Sequence, residues 1–109
     1  MIINISKNTV VAKNFSIKIG FGKIKGLIGS KTKKTIVFKT RFGIHTFFLK
    51  NSIDVIVLDK NKKAVIIKRS LKPNRIFFWN IKYDSVIELP QESIDKSKTE
   101  IGDLLKITS

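Results

Sequence analysis

The apolar positions of this chain recur at short intervals and mostly in alternation, which is the pattern of half-buried strands rather than of long helices. Phe15, Ile17 and Ile19 alternate with Ser16 and Lys18, and Ile2 to Ile5 with Thr9 to Ile19 predicts an opening hairpin across Ser6-Lys7-Asn8. Patches rich in Ile, Val, Phe and Thr predict further strands at Ile36 to Lys39, His45 to Leu49, Ile53 to Leu58, Ala64 to Arg69, Ile76 to Trp79, Ser85 to Leu89 and Leu104 to Ile107. Asp59-Lys60-Asn61-Lys62-Lys63 is a polar hairpin loop, Pro73 lacks the N–H that a central ladder needs, and Gly102-Asp103 turns into the last strand. One segment breaks the period. Phe21, Ile24, Leu27 and Ile28 fall at helical spacing, so 21–28 predicts a short amphipathic helix stopped by Gly29. Pro90 to Lys96 predicts a single helical turn or loop. The fold class is therefore all-β: a mostly antiparallel small barrel or sandwich of about eight short strands with one short helix near 21–28, in a single domain over residues 1–109.

Composition narrows the function classes. With 42% hydrophobic and 28% charged residues, a chain of 109 residues has the apolar content of a folded domain, which excludes a disordered tail. It has no cysteine and one histidine, so no disulfide framework, no metal site and no cofactor is expected. Met1 to Lys7 lacks the basic-then-apolar order of a secretory signal, and runs such as Val55 to Leu58 fall far short of the ~20 residues that span a bilayer. The expected compartment is the cytoplasm. The net charge of +14 is uneven: residues 1–50 carry eleven Lys or Arg and no acid, while residues 51–109 carry eleven basic and eight acidic residues. Such a field attracts nucleic acid, anionic lipid or an acidic partner. Nineteen of the 22 basic residues are Lys, however, whereas phosphate clamping favours Arg, so a solvated lysine shell is the competing account.

Asp54 is the polar residue most in need of explanation, because Ile53, Val55, Ile56 and Val57 surround it. Pairing of Phe47–Leu49 with Ile53–Val57 would bring it near His45, and an imidazole beside a carboxylate can work as an acid–base pair. The alternative is a purely structural one, with His45 on a backbone carbonyl and Asp54 accepting N–H groups from the turn at Asn51-Ser52. Glu88, between Ile87 and Leu89, is expected to meet Arg75 or Arg69 in an ion pair. Ser52 lacks a Gly-flanked elbow, and Gly20-Phe21-Gly22 with Gly26 misses the dinucleotide spacing, so neither motif carries chemistry. Seven of the ten aromatic residues cluster as Phe42, Phe47, Phe48 and Phe77, Phe78, Trp79, Tyr83, interleaved with Arg41, Lys50, Arg75 and Lys82. They serve either as core or, where strand alternation turns one outward, as a stacking surface.

The motifs Lys25-Gly26-Leu27-Ile28-Gly29, His45-Thr46-Phe47-Phe48-Leu49-Lys50, Ile53-Asp54-Val55 and Leu58-Asp59 run on into Leu71-Lys72-Pro73-Asn74-Arg75, Val86-Ile87-Glu88-Leu89-Pro90 and Ile101-Gly102-Asp103. In order and spacing this series is similar to the domain-of-unknown-function family numbered 192, from about residue 9 to residue 107. The resemblance implies a compact, mostly antiparallel β fold of prokaryotic origin and no particular activity. Leu49 stands where that family tends to have Met, and Lys23 and Lys50 stand where it tends to have Arg. The resemblance keeps His45, Asp54, Arg75 and Glu88 as polar positions. The expected function is a non-catalytic β domain binding a small ligand or a protein at those four residues, with Phe48, Phe78 and Trp79 as an aromatic floor. The alternatives are a nucleic-acid-binding module using the basic N-terminal half, and a hydrolase using His45 with Asp54 or Glu88. No residue is assigned as catalytic, and no oligomeric state follows from the sequence.

Overall fold

The computed structural model describes residues 1–18, 35–41, 43–47 and 49–108. The helix expected near 21–28 lies outside these residues. Ten strands and one helix follow in order: β1 (Ile2–Asn4), β2 (Thr9–Ala12), β3 (Ser16–Lys18), β4 (Ile36–Lys39), β5 (Gly43–His45), β6 (Ile53–Leu58), β7 (Ala64–Leu71), β8 (Ile76–Phe78), β9 (Ser85–Pro90), α1 (Ser93–Ser97) and β10 (Leu105–Ile107). They form a five-stranded sheet in the order β3-β4-β9-β6-β7, a three-stranded sheet β10-β1-β2, and a two-stranded ribbon β5-β8. The all-β expectation holds, with ten strands among the described residues against about eight expected.

The central strands β6 and β9 are buried on both faces, as their near-continuous apolar runs require. Their antiparallel register sets Asp54 opposite Leu89, Val55 opposite Glu88 and Ile56 opposite Ile87. Directly opposed residues share a face, so Asp54, Ile56, Leu58, Ile87 and Leu89 point one way and Val55, Val57, Val86 and Glu88 the other. On the first face, Ile2, Val11, Leu105 and Ile94 of the three-stranded sheet and α1 complete one core. On the second, Ile44, Phe77 and Trp79 of the ribbon region pack on Ile36, Phe38, Val55, Val57 and Val86. The five-stranded sheet is thus the middle layer of three.

Two expected elements change. The long strand Thr9 to Ile19 divides at Lys13–Phe15, because β2 pairs antiparallel with β1 while β3 crosses to pair in parallel with β4. The strand His45 to Leu49 ends at its first residue. Thr46 turns the chain there, donating through Oγ1 to the Lys72 carbonyl (2.7 Å) and accepting from the Arg75 N–H (2.9 Å).

A buried polar network joins the chain ends. Asn4 Nδ2 donates to Thr99 Oγ1 (3.0 Å) and Asp103 Oδ2 (2.9 Å), and Lys7 Nζ reaches both Asp103 oxygens at 2.9 Å. Burial pushes the Asp103 carboxyl up, but hydrogen bonds from Asn4, Lys7 and the Glu100 N–H, with the Lys7 charge, hold it below its ordinary 3.8. Asp103→Ala is expected to cost about 2 kcal/mol, chiefly by leaving one N–H of the Asn4 amide and the Glu100 N–H unpaired. The contribution of Asp103 is present above its ordinary pKa and lost as the pH falls through the lowered folded value, so the variant loses part of the acid arm of a urea-stability profile.

Candidate functional site

Asp54 is fully enclosed, with 1% of its surface exposed, and its two oxygens are already engaged. Oδ1 accepts the N–H of Ser70 and Oδ2 the N–H of Ile94, both at 2.9 Å. Each donor has a local cause. The β6–β7 register slips between Ile53 and Val55, which sets Arg69 and Ser70 against Asp54 alone, and Ser70 takes φ 52°. Such a bulge leaves an N–H without a ladder partner. At α1 the N-cap residue Glu92 is left-handed (φ 76°) and makes no side-chain cap, so a carboxylate from the next strand caps the helix in its place. The structural account of Asp54 is correct in kind, but its donors are Ser70 and Ile94 rather than the Asn51-Ser52 turn.

Glu88 points to the opposite face of the same sheet, beside Ile36 and Val55. It is 2% exposed, and its Oε1 is buried with no hydrogen-bond partner among the described residues. Burial pushes its carboxyl up to about 7. The expected ion pair is absent: Arg69 Nε bonds Asp95 Oδ1 at 2.7 Å, and the Arg75 guanidinium leans on the Asn74 carbonyl at 3.4 Å. Both arginines are exposed, whereas Glu88 lies within the second core.

His45 and Arg75 belong to the ribbon. β5 pairs with β8, not with β6, in the register Gly43↔Phe78, Ile44↔Phe77 and His45↔Ile76. Ile44 and Phe77 face the core, so His45, Ile76 and Phe78 face outward with Gly43. Ile76 is 53% and Phe78 69% exposed. Phe47 extends this face: its ring stacks on His45 at 4.9 Å and 23°, and its N–H donates to His45 Nδ1 at 3.3 Å. Gly43 (φ 152°) is confined to glycine because a Cβ there would press into the Phe77 carbonyl oxygen. Arg75, Lys72 and Lys82 are exposed in the segments flanking β8, and no acidic residue occurs in 41–53 or 60–83.

The four polar residues therefore do not share one site. His45 and Arg75 lie on the ribbon, Glu88 faces the core beneath it, and Asp54 lies across the sheet. The aromatic floor also divides, because Phe78 and Trp79 are successive residues on opposite faces. Trp79 is buried, with Nε1 bonded to the Tyr83 carbonyl at 2.8 Å. Phe48 lies outside the described residues. No group of three metal-ligating side chains occurs among the described residues, and no helix there is long and apolar enough to cross a membrane. Ile76, Gly43 and Thr46 are the ribbon residues that sequence reasoning passed over. Only Gly43, in front of an aromatic strand, carried a signal.

No family profile matches the sequence. A UPF0127 protein of Pyrococcus horikoshii is 36% identical to it, over 97% of this chain and 97% of its own length. A UPF0127 protein of Pyrococcus abyssi is 38% identical, over 94% of this chain and 93% of its own. Among solved structures, a Novosphingobium aromaticivorans protein of unknown function superposes with a TM-score of 0.70 at 10% identity, covering 84% of this chain and 72% of that one. A Sinorhizobium meliloti protein, described provisionally as a transcription regulator, gives a TM-score of 0.68 at 11% identity, covering 83% and 78%. At these identities the likeness is one of fold.

Proposed function

This chain belongs to the UPF0127 family, an uncharacterised one, and from that premise we propose that it is a non-catalytic binding domain presenting the outer face of the β5–β8 ribbon to a partner. One observation carries the reading: His45, Phe47, Ile76 and Phe78 stand exposed on a single face. Folding gains little from leaving such side chains in water, and an apolar cluster rimmed by charge is how an interaction site looks. Arg75 adds a guanidinium with no salt-bridge partner among the described residues. The reading keeps His45, Arg75 and Phe78 from the expected site, and leaves Asp54 and Glu88 to the fold. A hydrolase would need His45 in one cleft with Asp54 or Glu88, and the layers hold these residues apart.

We infer further that UPF0127 and the family numbered 192 are one family, supported by UPF0127 relatives that match nearly the whole of this chain, the span over which its motifs resemble that family. The same proposal takes residues 1–109 as one domain, since both cores rest on one sheet, and takes the cytoplasm as its compartment.

A photo-crosslinking residue placed at Phe78 is expected to give a discrete adduct in cells. The same residue at Ile101, equally exposed on another surface, is expected to give none. Phe78→Ser should shift unfolding by no more than about 0.5 kcal/mol. A large stability loss with no adduct would make Phe78 a structural residue and end the reading.

A further inference from the structure

We infer that the ribbon face binds single-stranded nucleic acid, with bases stacking on Phe78 and on the His45–Phe47 pair and phosphates meeting the exposed Lys72, Arg75 and Lys82. This inference rests on the ribbon reading and names its partner.

The spacing of the aromatic groups is the first argument. Phe78 sits opposite Gly43, two residues along β5 from His45. Phe78 and His45 are thus diagonal neighbours across the two strands, ~7–8 Å apart, about the reach of one extended nucleotide. Gly43 leaves one corner of this quartet without a side chain, the exposed Ile76 fills the corner opposite His45, and His45 and Phe47 are already stacked on each other. Aromatic faces offer stacking and no hydrogen-bond readout, so they require bases whose faces are free, which a duplex does not provide.

Charge is the second argument. The segments that form and flank the ribbon, 41–53 and 60–83, contain no acidic residue, and Lys72, Arg75 and Lys82 are all exposed. Flanking segments of one sign fit a polyanion, whereas a folded protein offers mixed charge. Size is the third. Three-residue strands run ~10 Å, whereas a stable protein–protein contact takes roughly 800 Å² from each partner. A strand of nucleotides needs no such area, because each base adds its own stacking energy.

The test is fluorescence anisotropy of the full chain with a labelled oligothymidylate and with a duplex of the same length, starting at about 50 mM salt, where counterion release favours binding. The single strand is expected to bind more tightly than the duplex. Phe78→Ala should weaken single-strand binding about tenfold, the loss of one stacked base, and the double variant His45→Ala/Phe47→Ala should do the same. Lys106→Gln, exposed on β10, should change it less than about twofold. Thermal melts of each variant establish that the ribbon is folded. Equal binding of duplex and single strand, unchanged in Phe78→Ala, would overturn the inference and leave only a basic surface. Absence of binding together with a protein adduct from position 78 would overturn the nucleic-acid partner and keep the ribbon as a docking face. Absence of both binding and adduct would overturn both.

Discussion

Asp54→Ala is expected to destabilise the fold by about 3–5 kcal/mol, the largest single effect among the polar residues. The variant strands two backbone N–H groups, those of Ser70 and Ile94, in a site where the carboxylate is 1% exposed. A hydrogen bond to a charged acceptor contributes about 1.5–3 kcal/mol, and a buried donor left unpaired costs its desolvation besides. The two donors belong to different elements, so the loss loosens the β7 bulge and the first turn of α1 together. Asp54→Asn should cost nearly as much, since its amide oxygen accepts one N–H while its own NH2 meets the other donor head-on. Urea unfolding measures both changes, and hydrogen exchange at Ile94 should accelerate in each variant. A stability change under about 1 kcal/mol for Asp54→Ala would show that water satisfies these donors, and the carboxylate would then be available for a ligand.

Glu88→Gln is expected to flatten the stability profile between about pH 4.5 and pH 7. Burial raises the carboxyl from its ordinary 4.5 to about 7, so the folded state holds its proton more tightly than the unfolded chain does. Stability is therefore fully present below pH 4.5 and is lost as the pH rises through 7, where ionisation puts a charge in the second core. The gap corresponds to about 3 kcal/mol, at roughly 1.4 kcal/mol for each tenfold change in proton affinity. Glutamine keeps the volume and removes the ionisation, so its denaturation midpoint should hold steady where that of the parent falls. Asp103 acts at the other end, failing only in acid, and the parent should be most stable in mildly acidic solution. A parent profile that is level from pH 4.5 to pH 8 would mean that the Glu88 carboxylate is paired in solution.

The same physics separates what was legible in the chain from what was not. The β1–β2 hairpin, the 59–63 loop and β4 follow from local spacing and turn residues and stand where the pattern places them, while 90–96, open between a helical turn and a loop, holds most of α1 (Ser93–Ser97). The double burial of β6 and β9 accords with their near-continuous apolar runs, interrupted only by Asp54 and Glu88. That Asp54 needed an explanation was also legible, because a carboxylate among branched aliphatics must be desolvated, satisfied by donors or placed at a rim, and the fold takes the second course.

The partners were not legible. β5 meets β8 rather than β6, β3 runs parallel to β4, and the donors to Asp54 lie 16 and 40 residues downstream. Pairing over such distances depends on which strands lie adjacent in the finished sheet, information that no window of neighbouring residues carries. Glu88 makes the same point from the side of charge. Arg69 and Arg75 were available in sequence, yet the middle layer turns its side chain inward while theirs remain in water. The amino-acid order by itself determined that this would be a β protein with one carboxylate set among branched aliphatics and with aromatic clusters. Only the tertiary structure decided which aromatics reach solvent and which acids can meet a base, because a strand's face is set by its register against a distant neighbour.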